Sequence, residues 1–310
     1  MTNQNNRIFI IGAGAIGKVL AVSLQLANRN VTILRGSVDD KESYTEKIQV
    51  ELSDKTLLEA EVEISTLSNF TTLNGLIILT NKSYGNPHLS QVLKGKANNS
   101  PIVILQNGLN VEQPFIDNGF AEIYRCVLFA TSQTITENKL RFKPVALSPI
   151  GIIKGNNDNL HSIVEQLNSD NFRFKAETDI QHVIWKKAIV NSVFNSVCPL
   201  LEIDNGVFHR NEKALDIAKR VIAECVLIAN AAGVLLSGQE VTESLLMISK
   251  ASDGQLISTY QDIKNKRKTE IETLNFAIVN VAEKLGKSSA VTETRLLGEL
   301  TKLKSELSLN

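Results

Sequence analysis

The chain has 310 residues, room for two domains at roughly 150 residues each. Its 33 Lys+Arg and 33 Asp+Glu cancel, and 43% of residues are hydrophobic and 21% charged. That balance argues against intrinsic disorder and against a generally basic nucleic-acid binder, while leaving a local anion site open. No stretch reaches the ~18 consecutive apolar residues of a membrane span. The polar start of the chain lacks the charged and apolar regions of a signal peptide, so the expected location is cytoplasmic.

Arg7–Ile11 predicts a strand, residues 15–27 a helix and residues 31–34 a second strand. Between the first two lies Gly12-Ala13-Gly14-Ala15-Ile16-Gly17, a G-x-G-x-x-G segment in the strand–turn–helix setting that dinucleotide binding requires. Gly12 permits the tight turn, Gly14 lets a pyrophosphate approach the backbone, and Gly17 lets the helix pack closely on the strand. The plainer alternative is a tight turn without a ligand. After the second strand comes Leu34-Arg35-Gly36-Ser37, with no carboxylate to bind a ribose 2′-hydroxyl. Arg35 fits a 2′-phosphate and Ser37 can donate to it, which favours NADP(H) over NAD. Alternatively, Arg35 is a solvated charge and Asp39 or Asp40 reaches the ribose.

Residues 47–64 predict one or two strands, and 76–80 and 102–105 two more. The last two end in polar turns that carry Lys82 and Asn107, where open α/β sheets bind ligands. Each has a plainer reading, as a surface lysine and as a turn former before glycine. Residues 123–129, 131–136, 139–142 and 147–153 predict strands with antiparallel pairing, and 172–175 a last strand. Helical spacing then covers 179–194, 212–232, 239–249 and 268–285, with Gly233 and Gly286 placed as C-terminal caps. The expected domains are therefore 1–176, a dinucleotide-binding α/β domain, and 177–310, all-helical. The first holds 17 basic and 16 acidic residues and the second 16 and 17, so neither is a polyanion-binding domain. Cys126, Cys198 and Cys225 are odd in number and widely spaced, which fits free buried thiols and no zinc site.

On the first C-terminal helix Lys187, Asn191 and Asn195 recur every four residues and share one face amid apolar neighbours. They read either as a functional stripe or as a solvated or backbone-tied one. Further on, Ser258 opens a polar cluster. Glu270 reads as the first residue of a helix, whether as a capping carboxylate or a catalytic one.

These segments together resemble the ketopantoate reductase family. The match rests on the Gly12–Gly17 loop, the N-K-S turn at Lys82, the Q-N-G turn at Asn107, W-K-K-A-I-V-N-S-V-F-N at 185–195 and S-T-Y-Q-D-I-K-N-K-R-K-T-E-I at 258–271. The resemblance implies an N-terminal Rossmann domain and a helical C-terminal domain of the 6-phosphogluconate dehydrogenase type, with the active site in a cleft between them. It implies NADPH-dependent reduction of 2-dehydropantoate to pantoate. Lys187 would be the general acid, and Glu270 would order it or bind a substrate hydroxyl. Ser258, Asn191 and Asn195 would hold substrate, Lys82 and Asn107 the nicotinamide and substrate end, and Arg35 the 2′-phosphate. Phe276, residues 287–292 and residues 126–131 depart from the usual pattern. An NADP-dependent reductase of another small 2-keto acid, or a non-catalytic redox sensor, are the alternatives. No nucleic-acid or membrane partner is expected, and a homodimer is possible.

Overall fold

The computed structural model describes residues 7–36 and 41–309. The expectations for Ser37, Asp39 and Asp40 lie outside the described residues. The chain forms two compact units: residues through Gln106 with Val111–Ile180, and Asn107–Asn110 with residues from Gln181 onward.

The first unit is a Rossmann-like sheet domain. Its strands are β1 Arg7–Ile11, β2 Asn30–Arg35, β3 Tyr44–Glu51, β4 Leu57–Thr66, β5 Leu76–Leu79, β6 Ile102–Ile104, β7 Ile123–Cys126, β8 Ala130–Thr136, β9 Lys139–Pro144, β10 Ser148–Lys154 and β11 Phe174–Ala176. They make one sheet ordered β11-β10-β7-β6-β5-β1-β2-β4-β3-β9-β8. The helices are α1 Ala15–Leu26, α2 Asn86–Lys94, α3 Gln113–Asp117 and α4 Asn157–Leu167. Alternate residues of β1 feed opposite cores: Ile8 and Ile10 join Leu20 of α1 and Ile163 of α4, while Phe9 and Ile11 join Leu93 of α2 and Phe115 of α3. Burial on both faces is why these strands read as continuous apolar runs. The ambiguous 47–64 region resolves as two strands, the antiparallel pair β3 and β4. The expected antiparallel pairing holds for β8 with β9 and for β7 with β10. Unforeseen is that the β8–β9 hairpin lies at the far edge of the sheet, where β9 runs parallel to β3. No local pattern encodes that crossing, because strand neighbours far apart in sequence are chosen by packing.

The second unit is helical: α5 Ile180–Leu201, α6 Val207–Arg210, α7 Glu212–Ala231, α8 Gly238–Ala251, α9 Ser258–Lys264, α10 Asn275–Lys284 and α11 Thr292–Leu309. α5 is apolar on most of its circumference, and Ile189, Val193 and Phe194 are fully buried. Gly233 and Gly286 follow α7 and α10 at φ 88° and 67°, the left-handed turn that ends a helix. The helix expected over 268–285 is broken. Ile271–Thr273 form a 3-10 turn, and Leu274, at ψ −98°, separates it from α10. The break frees the Thr273 carbonyl to accept from the amide of Leu109 (2.9 Å), so a tertiary bond outweighs helical continuity. Glu270 thus precedes a 3-10 turn and begins no α-helix.

Cys126, Cys198 and Cys225 are buried, and none forms a disulfide. Burial pushes the Cys198 and Cys225 thiols up to about 12, so both stay protonated at neutral pH. Beside Cys198, Asp204 receives two 2.8 Å hydrogen bonds from Arg210 and one of 2.7 Å from the amide of Gly206. The Arg210 guanidinium first, then the amides of Gly206 and Gly254, holds the Asp204 carboxyl below its ordinary 3.8. A depressed carboxylate stabilises the fold above its unfolded pKa and loses that contribution as pH falls through the folded value. Asp204→Asn should therefore lower Tm by a few degrees at pH 7. The difference from wild type should shrink as pH falls below 3.8, and a constant difference from neutral pH down through that range would contradict the assignment.

Candidate active site

In the sheet unit the glycine loop leaves β1 with Gly12 at φ 124°, its amide donating to the carbonyl of Leu34 (2.9 Å). A Cβ on Gly12 would fall 2.6 Å from the Asn81 amide nitrogen, and one on Gly17 would fall 2.1 Å from the Gly12 carbonyl oxygen. Gly14 has nothing within 4 Å. It stands at the start of α1, which has neither a side-chain cap nor an acidic residue in its first turn. Bare N–H groups at a positive helix end, with open space before them, fit a pyrophosphate. The loop is braced by the next turn: Thr80 and Asn81 amides donate to the Ile11 carbonyl (2.9 and 3.1 Å), and the Thr80 hydroxyl to that of Gly12 (3.0 Å). Asn81 Oδ1 is buried with no partner among the described residues, an acceptor available beside the loop. Lys82 follows it, exposed. Arg35 ends β2, half-buried, in register with Thr66 of β4.

Sequence reasoning missed the support under these turns. Arg125 of β7 is 2% exposed and pairs with Glu112, and it also donates to the Gln106 carbonyl (3.3 Å). The Gln106 amide donates to the Asn81 carbonyl (2.8 Å) and to Asn86 Oδ1 (2.9 Å), while Asn86 donates to Gln106 Oε1 (2.6 Å) and the Val111 carbonyl (2.8 Å). This buried network ties the turn of Asn81 and Lys82 to the end of β6. One signal was available: an arginine in the apolar run Ile123-Tyr124-Arg125-Cys126 needs a buried partner. Lys18, one residue past Gly17, is also buried, paired with Glu46 and donating to the Glu137 carbonyl (3.1 Å). Its position directly after the loop motif hid that role.

In the helical unit Lys187, Asn191 and Asn195 lie on one unbroken helix. Lys187 and Asn191 are half-buried and Asn195 is 2% exposed. Asn195 Oδ1 accepts from the Ser258 hydroxyl and the Thr259 amide, both at 3.1 Å, and its amide donates to the Asn191 carbonyl (2.9 Å). Asn195 thus joins α5 to the first turn of α9 and fixes the Ser258 hydroxyl beside it. The turn of Asn107 belongs to this unit, not to the sheet. Gly108, at φ 101°, leaves so little room that a Cβ would sit 2.5 Å from Thr273. Thr273 in turn donates through its amide to the Glu270 carbonyl (3.1 Å), so the chain bearing Asn107 and that bearing Glu270 meet at one threonine. Glu270 is half-buried and Asn107 exposed. Phe276 lies against Gly298 of α11, 3.5 Å from where a Cβ would be, and Lys302 sits over its ring at 5.5 Å. That departure from the expected pattern is absorbed between α10 and α11.

A sequence model described as "Ketopantoate reductase PanE/ApbA" matches residues 8–143, and one described as "Ketopantoate reductase PanE/ApbA C terminal" matches 179–303. A 2-dehydropantoate 2-reductase of Streptococcus pyogenes serotype M6 is 28% identical over 90% of this chain and 92% of its own. Among solved structures, a PanE/ApbA family ketopantoate reductase from Ralstonia eutropha superposes with a TM-score of 0.84 at 20% identity, covering 98% of this chain and 100% of the other. D-mandelate dehydrogenase with NADH and anilino(oxo)acetate gives 0.83 at 22%, covering 97% and 99%. A dimeric ketopantoate reductase from Staphylococcus aureus gives 0.81 at 18%, covering 97% and 99%. At these identities the structural likeness establishes the fold. Among the described residues no helix is long and apolar enough to cross a membrane.

Proposed function

The chain belongs to the ketopantoate reductase family, and on that basis we propose that it reduces 2-dehydropantoate to pantoate with NADPH, a step of pantothenate and coenzyme A biosynthesis. The observation that carries this reading is the ladder of Lys187, Asn191 and Asn195 on α5, with Asn195 clamped to Ser258. A non-catalytic sensor has no need of an acid beside such a clamp.

The open cradle at Gly14 and the uncapped start of α1 fit the dinucleotide's pyrophosphate. The Gly12–Gly17 loop would hold it there, with Arg35 at the 2′-phosphate and Lys82 and Asn107 toward the nicotinamide. When bound, the reduced nicotinamide supplies a hydride. Lys187 stabilises the negative charge that develops on the keto oxygen and donates the proton that neutralises it. Glu270 orders that ammonium or binds the substrate hydroxyl. Ser258, Asn191, Asn195 and Asn107 hold the carboxylate and hydroxyl ends, which contributes through orientation. Reduction of another 2-keto acid is a second reading, favoured by the likeness to D-mandelate dehydrogenase.

NADPH oxidation by the purified protein, with ketopantoate beside branched and aryl 2-keto acids, separates the two. Ketopantoate should give the highest kcat/KM, and turnover of a rival acid without ketopantoate turnover overturns the reading. Removing a charge-assisted contact worth ~1.5–3 kcal/mol, Arg35→Ala should raise the KM for NADPH roughly tenfold to a hundredfold. The KM for NADH should hardly move, and an equal rise for both would take Arg35 away from the 2′-phosphate.

A further inference from the structure

Lys18 is buried where two rules of placement are against it. It stands in the first turn of α1, where a cation faces the positive end of the helix dipole and costs stability. The residue is also only 9% exposed, and lysines are almost never buried unless paired. Three elements meet at its ammonium. Glu46 of β3 forms the ion pair, and the Glu137 carbonyl, in the turn between β8 and β9, accepts from Nζ at 3.1 Å. The hairpin reaches this point because β9 runs parallel to β3 with Lys139 beside Gln49, which brings residues 137 and 138 alongside the half of β3 that carries Glu46. Asn138, its amide nitrogen turned to the same acceptors, donates to Glu46 Oε1 (2.8 Å).

Stability alone does not account for the pair. Burying two charges costs about as much as their attraction returns, and an apolar pair of similar volume is often as stable or more so. The distinctive feature is its place. The Lys18 amide donates to the Gly14 carbonyl (3.0 Å), so Lys18 stands one helical turn, about 6 Å along the axis, from the bare N–H groups of the loop. Helical side chains lean toward the N-terminus, which carries the ammonium toward that same end. At a partly desolvated site such a charge acts on an anion with up to about four times its strength in bulk water.

We propose that Lys18 and Glu46 form a charge balance that sets the affinity for the dinucleotide: the ammonium draws the pyrophosphate from behind the glycine loop, and Glu46 offsets that pull. The proposal rests on the reading of Gly12–Gly17 as a dinucleotide site. Titration calorimetry of the full chain with NADPH at low ionic strength tests it. E46Q keeps the shape of the side chain and leaves the cation uncompensated, so Kd should fall roughly three- to tenfold. K18Q leaves the carboxylate instead and should raise Kd by a similar factor. K18Q/E46Q removes both charges and should bind within about twofold of wild type. A pair that only braces the fold would weaken binding in both singles, and that result, or no change in either, would overturn the proposal. Where a single variant does not fold, K18E/E46K decides. It restores the ion pair with the carboxylate on α1 and should bind at least about threefold more weakly; wild-type affinity in that variant would overturn the proposal. Wild-type protein that binds no dinucleotide would instead sink the reading of the loop, and the charge balance with it.

Discussion

Lys187→Ala is expected to lower kcat for the proposed 2-keto acid reduction by roughly a hundred- to ten-thousand-fold, the usual contribution of a positioned acid. The affinity for NADPH should stay within about twofold of wild type, since the loop that would bind it is built from β1 and α1. The fold also holds, because Lys187 is half-buried on a helix whose packing rests on Ile184, Ala188 and Ile189, and alanine suits that backbone. Lys187→Arg then separates the two parts of the role. A guanidinium keeps the positive charge and does not give up a proton near neutrality, so a residue needed as an acid leaves this variant nearly as slow as alanine. Activity of the arginine variant near wild type would reduce the role to charge alone. An unchanged kcat in the alanine variant would remove Lys187 from the reaction.

Gly12→Ala and Gly14→Ala part in opposite directions. At Gly12 the backbone sits at φ 124°, and an added methyl meets the backbone of Asn81 at 2.6 Å. Strain of this kind costs ~1–3 kcal/mol before the clash is counted, so the variant should lose Tm and nucleotide binding together. At Gly14 the backbone has an ordinary φ of −78°, and the methyl meets nothing. That variant should melt with wild type, yet its methyl occupies the place where a pyrophosphate would touch the chain. Its affinity for NADPH should fall by roughly tenfold or more, as for loss of a charge-assisted contact. Calorimetry with and without nucleotide reads both quantities. Equal nucleotide affinity for Gly14→Ala and wild type would dissociate the loop from the cofactor.

Much of the fold was legible because it is written in local periodicity. Strands buried on both faces read as apolar runs, α5 and α7 as amphipathic or apolar helices, and Gly233 and Gly286 as caps. The G-x-G-x-x-G loop was legible because its glycines lie in one stretch of sequence, although the backbone that crowds Gly12 belongs to the distant turn of Thr80 and Asn81. The buried Arg125–Glu112–Gln106–Asn86 network was not, because its members come from four separate segments and only Arg125, set in an apolar run, is unusual alone. Nor was the break at Leu274, where a carbonyl is claimed by Leu109, far away in the sequence.

By itself, then, the sequence determined the class of architecture, the glycine cradle and the face shared by Lys187, Asn191 and Asn195, since each is a matter of spacing along one element. Tertiary structure alone decided that β8 and β9 cross to the far edge of the sheet, that Asn195 acts on Ser258, and that the turn of Asn107 sits with Glu270's turn in the helical unit. It also decided which face of α11 is bare: Gly298 and Thr301 are the residues small enough to let that helix approach its neighbours, so the leucines were left outside. A helical period reveals that two faces differ, but only packing selects the one that is buried.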